Sequence, residues 1–129
     1  MTTVAFYRQV IEDTGMADRE HAKRAAAAVL QALRDRLTPA EADQVAAQLP
    51  REVREAWDAG ERPGRRPTKL HRPQFYARVQ AQAGLRTLRE ARGVTLAVFA
   101  ALKAQVSPGE AEDVRSQLPR DLKELWEDA

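Results

Sequence analysis

Apolar residues along this chain recur at intervals of three and four, the spacing that gives a helix one buried face. Phe6, Tyr7, Val10 and Ile11 open the pattern, and Ala22, Ala26, Val29, Leu30, Leu33 and Leu37 extend it into the longest stripe of the first half. Ala42, Val45, Ala46 and Leu49 fall at i, i+3, i+4 and i+7, followed by Val53, Ala56 and Trp57. The same succession then returns. Phe75, Tyr76 and Val79 lead to Ala91, Thr95, Val98, Phe99, Leu102 and Val106, then to Ala111, Val114 and Leu118, and finally to Leu122, Leu125 and Trp126. These stripes predict eight helices, over residues 3–13, 19–36, 39–48, 51–58, 73–82, 88–105, 108–117 and 120–127.

Residues between the stripes supply the stops and starts. Thr38 and Ser107 each precede a proline, so the hydroxyl caps a helix whose first position, needing no N–H, is taken by Pro39 or Pro108. Glu41 and Glu110 stand three residues beyond and complete a capping box in this reading. Pro50 and Pro119 disfavour helical geometry at the leucine before them, ending one helix and starting the next. Asp18 caps the second helix, and Thr87 with Glu90 repeats the box pattern. Gly15 and Gly84 read as left-handed C-terminal residues rather than phosphate loops, because no glycine-rich run surrounds them. The surface pairs Arg51–Glu55 and Arg120–Glu124 contribute about 0.2–0.5 kcal/mol each, whereas truncating a buried Trp57 or Trp126 costs roughly 3–5 kcal/mol. The Ala25–Ala28 run is a strong helix former. Gly93 and Val94 at the matching turn lower propensity by up to about 1 kcal/mol per residue, so the second central helix is expected to fray more easily.

Aligned at a constant offset of 69, residues 6–60 and 75–129 share 19 of 55 positions, without insertion or deletion. Duplication and fusion is the simplest account. The chain divides into a first helical repeat at 1–58, a Pro/Gly-rich linker at 59–73 and a second repeat at 74–129. A unit of half this length is marginal alone, so an all-α fold is expected in which two four-helix repeats share a core about a pseudo-twofold.

Composition narrows the chemistry. The hydrophobic share of 43% supports a core, but much of it is alanine and aromatics make up only 5%, which suits close helix packing. With no cysteine, disulfides and thiol catalysis are excluded. The two histidines are unrelated: His21 lies in the charged stretch DREHAKR and reads as solvated, and His71 lies in the linker, touching phosphate or nothing. A zinc site would need an unusual carboxylate-rich ligand set, so neither metal nor cofactor is assigned. No apolar run approaches the roughly 20 residues of a membrane span, and the N-terminus is acidic and amphipathic. A cytoplasmic protein without a membrane partner is expected. Seventeen arginines against four lysines, with no asparagine, fit a GC-rich bacterial genome and are weakly compatible with a thermophile.

Charge singles out the linker. Residues 1–57 carry eight Lys and Arg against nine Asp and Glu, residues 58–73 five against two, and residues 74–129 eight against eight. The net charge of +2 is therefore made there. Arg62, Arg65, Arg66, Lys69 and Arg72 are the candidate contacts to a nucleic acid or another partner; alternatively they strap the linker to acidic helix surfaces such as Asp43 or Glu112.

The full-length pattern, with FYRQV, the stretch AVLQALRDRLTPAEADQVAAQLPREVREAW and its second copy, resembles the bacterial family called domain of unknown function 2267. Its most specific part is the Thr/Ser-Pro-x-Glu-Ala helix start, then Gln-Leu-Pro and a terminal Trp. The resemblance implies an all-helical fold and brings no catalytic residue to any position.

Every repeated position has a packing, capping or turn role, so the leading reading is a helical interaction or scaffold module, without catalysis, for an unknown protein partner. The alternative is nucleic-acid binding through the basic linker and the helix-turn-helix-like segments at Leu49-Pro50 and Leu118-Pro119. PREVREAW and PRDLKELW carry as many acidic as basic residues, which opposes a phosphate backbone. An enzyme is the third class. In principle Glu41 and Glu110 can pair across the pseudo-twofold as acid and base, but capping boxes explain both without catalysis.

Overall fold

The computed structural model describes residues 2–129, which form eight α-helices and no strand. In order these are α1 (Thr3–Thr14), α2 (Arg19–Arg36), α3 (Pro39–Ala46), α4 (Arg51–Asp58), α5 (Arg72–Ala83), α6 (Leu88–Gln105), α7 (Pro108–Ser116) and α8 (Arg120–Asp128). Each lies within two residues of its expected bounds, because the caps act where the residue types place them. Asp18 accepts from the Glu20 N–H at 3.0 Å, and Thr87 from the Glu90 N–H at 3.1 Å. Gly15 and Gly84 end α1 and α5 at φ 73° and 64°, where a side chain would be strained. Pro50 and Pro119 are extended residues from which α4 and α8 begin.

The short N-terminal helix of each half packs chiefly on the central helix of the other: α1 lies most extensively on α6, and α5 on α2. The central helices α2 and α6 also touch. One cluster of buried residues therefore runs from Phe6 through Val29, Leu33 and Trp57 to Phe99, Leu122 and Trp126. Phe99 meets Phe75 and Trp126 edge to face at centroid separations of 5.9 and 5.1 Å, a favoured aromatic geometry. Trp57 and Trp126 are buried, as expected, and the Trp57 indole N–H donates to the Ala42 carbonyl at 3.1 Å.

Cations close the ends of α4 and α8. The Arg34 guanidinium donates to the carbonyls of Trp57 at 2.8 Å and Ala59 at 2.6 Å; Lys103, 69 positions on, donates to those of Trp126 at 2.9 Å and Ala129 at 3.0 Å. Both use the helix's unpaired C-terminal carbonyls, where positive charge is favoured. His21 is not solvated as its charged neighbours suggested. It is half-buried with Nε2 3.0 Å from the Ala83 carbonyl, beside Arg24, which donates to Gln82 O at 2.9 Å. The docking of α5 on α2, invisible in the local sequence, draws it inward.

Candidate functional site

The helices α3 and α7 pack on each other, the N-terminus of each beside the residues that follow the other's C-terminal turn. Thr38 Oγ1 accepts from the Glu41 N–H at 3.2 Å and Ser107 Oγ from the Glu110 N–H at 3.1 Å, half of the expected capping box. The other half is not made by the glutamates. The Thr38 N–H donates instead to Gln117 Oε1 at 2.9 Å, and the Ser107 N–H to Gln48 Oε1 at 2.7 Å. The glutamines of the two Gln-Leu-Pro-Arg tetrads thus cap each other's helix across the α3–α7 contact. Substituting for the carboxylates, they release Glu41 and Glu110 to face one another.

Both released side chains are buried, at 8% and 6% exposure, and Oε2 of each has no hydrogen-bond partner outside the pair. Asp113, one turn further along α7 and exposed, joins them: one carboxylate oxygen from each of the three lies within 4.8 Å of the other two. Burial, then the hydrogen bond and charge of Glu41, then the charge of Asp113, push the Glu110 carboxyl up to about 8. Two carboxylates this close and this dry need a positive species between them. Near neutral pH a proton shared with Glu41 serves.

The linker cations divide. Arg65 is buried: it donates to the carbonyls of Leu37 and Arg34, both at 2.8 Å, and pairs with Glu61. Arg72 donates to the Asp121 carbonyl at 2.7 Å and pairs with Glu124, while its N–H donates to the Asp121 carboxylate at 2.7 Å. His71 also approaches Asp121, Nδ1 to Oδ1 at 3.5 Å. Arg62, Arg66 and Lys69 are exposed. The linker is therefore held by the end of α2 and the start of α8 rather than by Asp43 or Glu112. Arg65 meets a buried group missed by sequence reasoning, in which Asp35 accepts from Arg34 at 2.8 and 2.9 Å and from Arg78 at 2.7 Å. Burial raises the Asp35 carboxyl, but these hydrogen bonds and charges outweigh it and hold it below its usual range.

Two adjoining open depressions along α6, sharing Asp13 and Gly93, make a shallow groove: Thr14, Met16, Leu85, Glu90 and Val94 line one, and Leu96, Ala97, Ala100, Asp128 and Ala129 the other. No helix is long and apolar enough to cross a membrane among the described residues.

These features define an all-helical protein with a buried carboxylate pair between two short packed helices. The chain belongs to the family of uncharacterised conserved proteins DUF2267, whose model matches residues 3–125. No curated protein matches it.

Proposed function

We propose that this protein is a non-catalytic helical interaction module whose binding surface is the groove on α6. The observation that carries this reading is the groove itself: an open surface lined mostly by small and apolar residues together with the carboxylates of Asp13, Glu90 and Asp128. Such a surface suits an amphipathic helix with basic residues flanking its apolar face. Among the buried polar residues Arg34 closes the end of α4, Asp35 pairs with Arg34 and Arg78, and Thr95 donates to the Ala91 carbonyl, which leaves Glu41 and Glu110 as the ones not so occupied.

Gly93 provides the test. A Cβ placed there meets nothing within 4 Å, so Gly93→Arg fills the groove without disturbing the core. Wild-type protein is expected to capture a protein from a lysate of its source cells, with or without nuclease, and Gly93→Arg to lose it. Nuclease-sensitive capture, unaffected by Gly93→Arg but abolished by neutralising Arg62, Arg66 and Lys69, would replace this reading with nucleic-acid binding. With three exposed linker cations, the log-log salt slope on duplex DNA would then be at most about 2.7.

A further inference from the structure

We propose that Glu41, Glu110 and Asp113 form a binding site for a hard divalent cation that clasps α3 to α7. Three acidic residues do not make a site. What makes one here is that two of them are more than nine-tenths buried, that Oε2 of each has no hydrogen-bond partner outside the pair, and that one carboxylate oxygen from each of the three lies within 4.8 Å of the other two. Buried charge is retained in proteins when it is paired or coordinates a metal. The ordinary use of a glutamate at this helix position, reaching back to the cap N–H, has been handed to Gln117 and Gln48.

A single ion can be reached by all three. Three donors spread about one cation at about 2.4 Å, a calcium–oxygen distance, stand up to about 4.2 Å apart, and the three oxygens here lie within 4.8 Å of one another, so small side-chain shifts complete the site. Calcium, with its flexible geometry, is accommodated most readily, whereas magnesium demands near-ideal octahedral geometry at about 2.0–2.1 Å and dehydrates reluctantly. The all-carboxylate donor set favours hard cations over zinc or copper. Asp113 is exposed, giving the ion a path in and leaving room for waters to complete its shell. Three protein ligands and a water-completed shell place the affinity near the weak end of protein calcium sites, at about 0.1–1 mM. The spacing along α7 is Glu110 and Asp113, i and i+3, whereas α3 offers Glu41 and Gln44. The site is thus built mainly by the second half of the chain and closed by the first.

The test uses the full chain, stripped with chelator and titrated with Ca²⁺, Mn²⁺ and Mg²⁺ separately, reading stoichiometry by calorimetry and, for Mn²⁺, by the loss of its free-ion paramagnetic resonance signal. One saturable site is expected, with Ca²⁺ ahead of Mg²⁺. At ten times the dissociation constant the melting temperature is expected to rise by about 3–8 °C. Asp113→Asn, a change at an exposed residue that leaves the core intact, is expected to weaken binding at least tenfold, a loss that even an outer-shell partner typically produces (about 10–100-fold). Glu41→Gln with Glu110→Gln should abolish it. Absence of saturable binding up to about 10 mM, beyond the weakest protein calcium sites, would overturn the proposal and leave the pair bridged by a proton alone. Equal binding in wild type and Asp113→Asn would overturn it as well, as would equal binding in the double glutamine variant if that folds.

Discussion

Burial and the facing Glu41 raise the Glu110 carboxyl from 4.5 to about 8, so between those values the folded chain holds a proton that the unfolded chain has released. The resulting stabilisation is fully present below pH 4.5 and is lost as pH rises through about 8. Asp35 behaves oppositely. Its folded carboxyl lies below 3.8, so its contribution is present above that value and disappears as pH falls through the folded one. In chelator, the melting temperature should therefore climb as pH is lowered from about 9 to 5 and fall again below about 4. Glu110→Gln should flatten the alkaline limb and leave the acid limb in place; a profile unchanged by that substitution would remove the proton from the pair. Asp35 has a second consequence. The Arg34 side chain is only 4% exposed, and Asp35→Ala would remove its close carboxylate and leave it Glu61 at 3.7 Å, while Arg65 keeps its own pair with Glu61. Breaking a buried pair on one side typically costs about 3–5 kcal/mol, the loss expected for this variant in urea unfolding. Exposed Arg51–Glu55 makes a useful control, since its removal should be nearly silent.

At the scale of elements, α6 tests how far local propensity matters once a helix is packed. It runs unbroken for 18 residues through Gly93, whose missing side chain faces open space. Gly93→Ala should stabilise the protein by about 0.5–1 kcal/mol, measurable as a higher urea midpoint with an unchanged slope. The helices were legible in the sequence because their caps are local: Asp18, Thr87, Gly15 and the four helix-starting prolines act within three residues of themselves. The candidate site was legible only in part. Glu41 and Glu110 stood out as a pair, but a capping box explained them because the glutamines that displace them are 79 and 59 residues away from the N–H groups they accept from. Gln48 and Gln117 stood only as part of the repeated Gln-Leu-Pro. Asp113 gave no sign at all, since its counterpart 69 positions earlier is Gln44. His21 and Asp35 were obscure for the same reason: their partners come from α5 and the linker, and no periodicity within α2 announces them.

For the whole molecule, the packing of α1 on α6 and α5 on α2 decides what either half can do alone. Residues 1–60 in isolation would expose the face of α2 that α5 covers and the face of α1 that α6 covers. The fragment would keep its Trp57 cluster while losing the Phe75, Phe99 and Trp126 contacts. A chain of that length buries only about 60% of the surface its unfolded form exposes, which leaves little margin against chain entropy, and here part of that burial is supplied by the other half. The fragment is expected to be unfolded or weakly helical as a monomer by circular dichroism, with no cooperative melt. At high concentration it should associate, because a second copy can offer α2 and α1 where α6 and α5 stood. Mixing it with residues 61–129 should restore a cooperative transition, and the restored complex should again require Gln48 and Gln117, since each completes a cap on the opposite fragment. A monomeric fragment melting cooperatively near the temperature of the full chain would show that the two halves stand independently and that the contacts between them add little to either.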